Sequence, residues 1–342
     1  MRAVAYTTAG PLTADGPLVD VELPRPEPRG RDLLVRVEAV SVNPVDTKVR
    51  ASTSAEPGQH KVLGWDASGV VVVVGSEVTG FAPGDAVWYA GAIDRPGSNA
   101  EFHLVDERIV GRKPASIDHA AAAALPLTAI TAWETLFDRL RVREPVPGAA
   151  TAILIVGGAG GVGSVAVQLA RRVAGLTVIA TASRPETADW VRDLGADHVV
   201  DHSRPLAPQV EALGIGAPAY VFATTGTAGH LADIAQLIAP QGRVAVIDDP
   251  QTLDIMPFKR KSISVHWELM FTRSLFGTPD MAAQGALLTE VAALVDAGTL
   301  RSTLSEVLGP IDAATLRRAH ALIESGRTRG KLVLQGFGPV AR

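Results

Sequence analysis

The chain has 342 residues, of which 47% are hydrophobic, and this length predicts about two domains with sizeable cores. The 32 Lys and Arg and the 36 Asp and Glu give a net charge of −4, without the basic excess that nucleic acids or anionic membranes attract. The chain has no Cys, which excludes disulfides, thiolate nucleophiles and thiolate metal ligands. It shows neither a signal peptide nor a long apolar run, so we expect a soluble, cytoplasmic protein that binds neither nucleic acid nor membrane.

The first third of the chain carries short β-branched runs separated by Gly and Pro, such as residues 33–40 and 69–75. This pattern predicts an antiparallel β-domain with little helix. An Ala-rich helix is predicted over residues 118–137. After a turn at residues 145–148, strands and helices alternate, which is typical of a doubly wound parallel sheet and predicts an α/β fold.

Six short apolar runs are the predicted strands of that sheet: 152–156, 177–180, 198–200, 219–223, 244–247 and 262–266. Their continuous hydrophobicity indicates strands that are buried on both faces. The tail predicts a helix over 281–297, a strand over 303–308, a helix over 312–325 and a last strand over 331–334. Because the alternation stops there, we expect the tail to return to the first domain.

Gly158, Gly160 and Gly163 form a G-x-G-x-x-G motif, with Gly161 and Val162 inside it. The motif follows an apolar strand and opens a predicted helix, which is the context of a dinucleotide-binding loop. Glycine lets the backbone approach a pyrophosphate closely, and the helix N-terminus supplies amide donors. A glycine-rich turn without a ligand is the alternative.

The end of the next predicted strand indicates which dinucleotide is bound. About twenty residues after the motif, where NAD enzymes place a carboxylate for the ribose 2′-hydroxyl, the chain has Ser183 and Arg184. Both can bind a 2′-phosphate, and no carboxylate repels it, so NADPH is favoured over NADH. A solvated loop arginine is the alternative for Arg184.

These features, taken with several further motifs, resemble the medium-chain dehydrogenase/reductase superfamily, and within it the zinc-free branch of quinone oxidoreductases and enone reductases related to zeta-crystallin. The resemblance runs through the chain in family order and includes SVNPVDTKVR (41–50), LGWDASGVVVVVG (63–75), PGDAV (83–87), ALPLTAITAW (124–133), the glycine loop, DLGADHVVD (193–201), residues 242–247 and GRTRGKLVL (326–334). It implies a GroES-like catalytic domain, residues 1–126 and 269–342, and an inserted Rossmann domain, residues 127–268. It also implies an active site in the cleft, hydride transfer from NADPH, and a homodimer.

The resemblance also bears on metal binding. Zinc alcohol dehydrogenases of this superfamily hold the catalytic metal with a Cys, a His and a second Cys. The corresponding positions here are Asn43, Trp65 and approximately Leu127, none of which is a normal zinc ligand. We therefore expect no metal site.

Further cofactor contacts carry over from the family pattern. His202 falls where many relatives have a Tyr near the 2′-phosphate, and a loop histidine without that role is its alternative. Thr131, Thr224 and Ile247 correspond to positions beside the nicotinamide half, and Lys331 is a further cofactor candidate in the C-terminal motif.

Reduction of an enone or a quinone places negative charge on a substrate oxygen, which hydrogen-bond donors must stabilise, and it also needs a proton source. Asn43 and Lys48 are candidate donors, and Asp46 is placed to orient them. In enone reductases with a similar motif, the residue at Lys48 lies near the nicotinamide ribose; a surface lysine is the alternative. Tyr89 is a candidate proton donor, with a structural aromatic as its alternative. Met270, Phe271, Arg273 and Phe276 form either a substrate lip or a dimer contact.

The sequence thus predicts an NADPH-dependent oxidoreductase that transfers hydride to quinones or to the C=C bond of α,β-unsaturated carbonyl compounds. A carbonyl reductase like the alcohol dehydrogenases is a second enzymatic hypothesis, although it would lack its Lewis acid. A non-catalytic NADPH-binding protein is a third, since a fold does not fix a function.

Overall fold

The computed structural model describes residues 1–13 and 16–338. The chain forms two compact units: unit 1 contains Met1–Ile130 and the described residues from Phe271 onwards, and unit 2 contains Thr131–Met270. In the described parts of the chain, every helix is too short or too polar to cross a lipid bilayer.

Unit 1 is rich in β-structure. Its first segment contains β1 (Arg2–Tyr6), β2 (Val19–Glu22), β3 (Asp32–Ser41), α1 (Pro44–Ser52), β4 (Lys61–Val62), β5 (Asp66–Val74), β6 (Ala86–Tyr89), β7 (Phe102–Asp106), β8 (Val110–Arg112), α2 (His119–Ala123) and the start of α3 (Pro126–Trp133).

Two sheets organise unit 1. A three-stranded antiparallel sheet has the order β2-β1-β4. In the larger sheet, β3 pairs antiparallel with both β5 and β7, and β5 continues through β6 to β8. The prediction of an antiparallel β-domain from the first third is confirmed.

Between residues 43 and 139, the helices differ from the prediction in two places. The Ala-rich helix is broken at Leu125, because Pro126 has no N–H to continue the ladder and starts α3 instead. A π-helical turn, Glu134–Arg139, follows α3. The helix α1 was not predicted; Pro44 at its first turn and the Asn43/Asp46 capping box fix its start despite weak apolar periodicity.

Unit 2 contains a six-stranded sheet flanked by helices. Its elements are β9 (Ala150–Val156), α4 (Gly161–Arg172), β10 (Thr177–Thr181), α5 (Pro185–Leu194), β11 (His198–Val200), α6 (Leu206–Glu211), β12 (Pro218–Ala223), α7 (Thr227–Leu237), β13 (Arg243–Val246) and β14 (Ser264–Trp267). The strand order is β11-β10-β9-β12-β13-β14, and all neighbours are parallel. The order reverses between β9 and β12, which in such sheets is where ligands bind.

The strands of unit 2 match the predicted apolar runs to within two residues at each end, and the difference at the last strand has a clear cause. The last strand was predicted from residue 262, but Ser262 has a φ of +52° and closes a 3₁₀ turn, Met256–Lys261. A residue in that left-handed conformation cannot extend a strand, so β14 starts at Ser264. The core beneath the sheet contains Leu154, Ile179, Val221 and Val244, all with no exposed surface.

The chain then returns to unit 1. There it forms α8 (Thr272–Leu275), α9 (Ala283–Asp296), β15 (Leu304–Gly309), α10 (Ala313–Glu324) and β16 (Lys331–Gln335). β15 pairs parallel with β16, and β16 pairs antiparallel with β3. Lys331 therefore enters the sheet beside β3, whose end leads to Asn43 and α1.

Candidate active site and cofactor site

The glycine loop lies between the end of β9 and the start of α4, at the carboxyl edge of the parallel sheet. A Cβ added to Gly163 would lie 2.3 Å from the Gly157 carbonyl oxygen, and one on Gly158 would lie 2.9 Å from the Ala180 Cβ. Gly157 itself has a φ of +78°. A side chain at Gly163 would therefore move α4 away from the strand, one at Gly158 would press on β10, and one at Gly157 would strain the backbone.

The same loop fits a dinucleotide. Gly160 caps α4 without a side-chain hydrogen bond, so the amides of the first turn, which starts with Gly161 and Val162, are not capped by a side chain. Amides at a helix N-terminus bind pyrophosphate, and the glycines keep side chains out of the space over them. Gly158, Gly160, Gly161, Val162 and Gly163 are therefore the residues that would hold the pyrophosphate.

Several polar side chains lie at the carboxyl ends of β10 and β11, at the same edge of the sheet. The Thr181 hydroxyl lies 3.0 Å from Nδ1 of His202 and accepts a hydrogen bond of 2.9 Å from the Gly157 amide. Ser183 is exposed, and Arg184, at the start of α5, pairs with Glu186 at 2.9 Å. The structure thus brings Arg184 and His202 to adjacent strand ends, beside the glycine loop.

Burial lowers the pKa of His202, and the charges of His230 and Arg184 lower it further, while Asp201 opposes them. His202 is therefore neutral near pH 7. His230, in the first turn of α7, was missed by sequence reasoning because α7 follows β12, far from His202 along the chain.

The residues expected beside the nicotinamide half lie at other points of unit 2. The Thr224 hydroxyl donates a hydrogen bond of 2.7 Å to the Val156 carbonyl, and its oxygen would lie 2.4 Å from a Cβ on Gly157. Ile247 follows β13, and its amide donates to the Ala223 carbonyl at 3.3 Å. Thr131 is buried in α3.

Unit 1 contains a buried polar cluster, the Asp66 cluster, formed by Asn43, Asp46, Asp66 and Lys331. Asp66 accepts hydrogen bonds from the Leu127 amide at 2.7 Å, from Asn43 Nδ2 at 2.8 Å and from Lys331 Nζ at 3.1 Å. Lys331 also donates to Asn43 Oδ1 and to the Val42 carbonyl. The carboxylate and the ammonium compensate each other in the interior, as buried charges must.

These contacts correct two expectations. Asn43 was expected to stabilise charge on a substrate, but its amide donates to Asp66 and its oxygen is held by Lys331. Lys331 was expected to contact the cofactor, but its three donors match three acceptors in the Asp66 cluster and only 3% of its surface is exposed. Both side chains are occupied within the protein.

Asp46 was expected to orient the side chains of Asn43 and Lys48, and the structure shows it bound to the backbone of Asn43. Its Oδ2 accepts a hydrogen bond of 2.7 Å from the Asn43 amide and caps α1. Burial raises its pKa to about 7; the Asn43 amide and Lys331 lower it, while Asp66 raises it.

Tyr89 is placed unfavourably for the expected proton transfer. It has no exposed surface, and its hydroxyl lies 3.0 Å from Nδ1 of His103, whose Nε2 lies 2.9 Å from the Pro96 carbonyl. Because a carbonyl only accepts, Nε2 carries the hydrogen, and Tyr89 donates to Nδ1. Burial raises the pKa of Tyr89 and lowers that of His103 to about 4, so the pair is neutral and structural. Lys48, the other residue expected to donate to the substrate, is exposed on α1.

Comparison with known proteins identifies the family. Residues 29–115 match the model of the alcohol dehydrogenase GroES-like domain, and residues 194–334 match that of the zinc-binding dehydrogenases. A zinc-type alcohol dehydrogenase-like protein of Staphylococcus aureus is 40% identical over 91% of this chain and 92% of its own length. The chain belongs to the medium-chain dehydrogenase/reductase superfamily. The α/β fold predicted for it, with a GroES-like and a Rossmann domain, is confirmed.

Solved structures of the superfamily agree with this assignment. A protein of Rhizobium etli described as a zinc-dependent alcohol dehydrogenase has a TM-score of 0.98 and 65% identity, with 99% of each chain covered. The quinone oxidoreductase of Coxiella burnetii has a TM-score of 0.78 and 28% identity over 98% of this chain and 99% of its own. The tomato 2-methylene-furan-3-one reductase is 35% identical over 60% of this chain and 53% of its own length. These similarities confirm the predicted quinone oxidoreductase branch.

The zinc in the names of several superfamily members does not fit the residues of this chain. Trp65 is 1% exposed, and its indole N–H donates to the Ala92 carbonyl at 3.1 Å. The amide of Asn43 and the carboxylate of Asp66 are held by Lys331, whose ammonium would repel a second cation there. Among the residues that the structure describes, no three His, Cys, Asp or Glu side chains gather as a metal site.

Sequence reasoning missed Asp66 and Thr181 as well as His230. Asp66 precedes a long buried apolar run, and an acidic residue in such a place requires internal donors. Thr181 ends a buried strand of the Rossmann domain, where its hydroxyl needs partners. The sequence around Asp66 and Thr181 does not show which residues bind them, because partners such as Lys331 and Gly157 lie elsewhere in the chain.

Proposed function

We propose that this protein is an NADPH-dependent, zinc-independent oxidoreductase that reduces quinones or the C=C bond of α,β-unsaturated carbonyl compounds. The observation that carries the proposal is the glycine loop with Arg184 and His202 beside it and without a carboxylate at the end of β10. Similarity to a quinone oxidoreductase and to a furanone reductase supports the substrate class.

Recognition of NADPH is assigned to three side chains. Arg184 binds the 2′-phosphate as a cation, while Ser183 and neutral His202 donate hydrogen bonds to it. Arg184 currently pairs with Glu186, whose side chain is 58% exposed, so a phosphate dianion competes with a weak surface partner. In NAD-specific proteins a carboxylate at this position would bind the ribose hydroxyl instead.

The reaction needs a donor to the substrate oxygen. Bound NADPH supplies the hydride, and the charge that develops on the oxygen is stabilised by a positioned cation. Lys48 is assigned this role because it is a cation on the exposed side of α1, at the position that the family resemblance points to. The Asp66 cluster supports zinc independence, since an ammonium lies against Asn43, which corresponds to a ligand position of the zinc alcohol dehydrogenases.

The test is NADPH consumption by protein stripped of metal, with a panel of ortho- and para-quinones, 2-alkenals and cyclic enones, and with NADH in parallel. We expect turnover with NADPH, little with NADH, and no gain from added zinc. Lys48→Ala should lower kcat, whereas Lys259→Ala, at an exposed lysine of unit 2, should not. Arg184→Ala should raise the KM for NADPH by about tenfold or more, as loss of a charged hydrogen bond does.

Arg192→Ala is the matched control for Arg184, because Arg192 lies on the same helix and pairs with Asp189 at the surface. Binding of NADPH without reduction of any acceptor would favour the non-catalytic hypothesis. Turnover that appears only with zinc and an alcohol would favour the alcohol dehydrogenase hypothesis. Either result would overturn the proposal.

We also propose that the protein is a homodimer. β14 is the last strand of its sheet and pairs on one side, with β13, among the described residues. Trp267 at its end is 56% exposed and Leu269 is 50% exposed. An unpaired strand edge beside exposed large apolar side chains favours pairing with another chain, and a second copy is the partner always present.

A further inference from the structure

Thr181, the last residue of β10, connects the glycine loop to His202. It has no exposed surface. Its hydroxyl accepts the hydrogen bond from the Gly157 amide at 2.9 Å and lies 3.0 Å from His202 Nδ1. Its carbonyl accepts from the Gly158 amide at 3.2 Å, so one residue holds both the loop and the histidine.

The positions of the hydrogen atoms follow from these contacts. The Gly157 amide can only donate, so the Thr181 oxygen accepts there, and the hydroxyl keeps one proton to donate. Among the described residues, Nδ1 of His202 is the acceptor that the structure gives this proton. If Nδ1 donated instead, the buried hydroxyl would accept twice and its own proton would lack a partner, so the arrangement that satisfies both groups leaves Nδ1 as the acceptor and places the ring N–H at Nε2.

This tautomer matters for ligand binding. A phosphate accepts hydrogen bonds, so a histidine that presents an N–H can bind it and one that presents a lone pair cannot. Arg184 is a permanent cation near His202 and favours an anion there, whereas Asp201 opposes it.

We propose that Thr181 is a positioning residue that sets the preference for a 2′-phosphorylated dinucleotide, by holding His202 with its Nε2–H as a donor to the phosphate. The inference rests on the proposed use of NADPH. The Gly157 contact of Thr181 acts on the pyrophosphate loop and so affects both cofactors equally. The His202 contact affects the 2′-phosphate alone, and the ratio of two affinities separates the two effects.

The test uses the whole protein and two probes, adenosine 2′,5′-bisphosphate and AMP, in titration calorimetry at pH 7. Wild type should bind the bisphosphate more tightly. Thr181→Val, which keeps the shape and removes the hydroxyl, should reduce this preference by up to about tenfold, because His202 is then no longer fixed as a donor to the charged phosphate. Thr181→Ser should retain it. Thr135→Val is the matched control, because Thr135 is also buried and its hydroxyl has no hydrogen-bond partner among the described residues.

A double-mutant cycle tests whether Thr181 acts through His202. His202→Ala should reduce the preference, and Thr181→Val should reduce it no further in that background. An unchanged preference in Thr181→Val, or full additivity with His202→Ala, would overturn the role of Thr181 while leaving the use of NADPH intact. A wild-type protein without preference for the bisphosphate would instead overturn the proposed cofactor. Should Thr181→Val not fold, Thr181→Ala provides the same comparison.

Discussion

At the scale of single residues, the role of the Tyr89 hydroxyl, structural or catalytic, can be tested by mutation. Its proton is donated to His103, and burial raises its pKa, so we expect Tyr89→Phe to retain turnover with the best acceptor. The variant leaves Nδ1 of His103 unpaired in the interior, which should cost about 1–3 kcal/mol of stability. Steady-state kinetics and urea unfolding measure the two effects. A large loss of kcat at unchanged KM would restore Tyr89 as the proton donor.

Asp46 predicts a pH dependence of stability. Its pKa rises from 3.8 to about 7 on folding, so the folded protein holds the proton more tightly than the unfolded chain. The resulting stabilisation is complete below pH 3.8 and is lost as the pH rises to about 7. Asp46→Asn keeps an acceptor for the Asn43 amide and removes the titration, so its unfolding free energy should fall less between pH 5 and about 7.5. Urea unfolding across that range measures this.

A matched control for Asp46 is Asp189→Asn, at a surface carboxylate whose side chain is 74% exposed. It should leave the pH slope of wild type unchanged. Equal slopes in wild type and in Asp46→Asn would show that the proton on Asp46 does not stabilise the fold.

At the scale of elements, the approach of α4 to β9 depends on one glycine. A methyl group on Gly163 would meet the Gly157 carbonyl at 2.3 Å, so Gly163→Ala must displace the helix and the loop together. We expect NADPH binding to weaken by tenfold or more, and titration calorimetry measures it. Gly229 is the third residue of α7, as Gly163 is of α4, and no atom lies within 4 Å of its added Cβ.

Gly229→Ala should therefore leave binding unchanged and stabilise the protein by up to about 1 kcal/mol, since it removes backbone freedom from the unfolded chain. Normal NADPH affinity in Gly163→Ala would show that the close packing of α4 is not required for the loop to bind.

Elements were predicted well where local pattern and burial agree. The strands of the parallel sheet are continuous apolar runs, and the structure has them within a few residues. The prediction failed where one residue overrides a pattern, as Pro126 does in the Ala-rich helix and Ser262 does before β14. In the candidate site, the glycine motif predicted a tight turn between a strand and a helix. The hydrogen bond between Lys331 and Asn43 was not predicted, since the two residues lie 288 positions apart. No spacing rule anticipates a hydrogen bond over that separation.

At the scale of the whole molecule, the proposed homodimer predicts that assembly depends on the edge of β14. Trp267→Glu should place a charge beside that strand and shift the protein to a monomer, whereas Met256→Glu, at a 64% exposed side chain outside the strand, should not. Sedimentation velocity at several concentrations measures the two populations. A monomeric wild type, or a dimeric Trp267→Glu, would contradict the proposal.

The separation of Lys331 from Asp66 also determines the order in which the chain can mature on the ribosome. Unit 2 is one uninterrupted segment, Thr131–Met270, so all of it is synthesised before β16. Lys331 is synthesised 265 residues after Asp66. Before that, the donors that the structure gives the Asp66 carboxylate are the Asn43 side-chain amide and the Leu127 backbone amide. The Rossmann domain can therefore fold during translation, whereas the GroES-like domain needs β16, which is synthesised after unit 2. A chain that ends before β16 can thus form the glycine loop but lacks the ammonium that neutralises the buried Asp66 carboxylate.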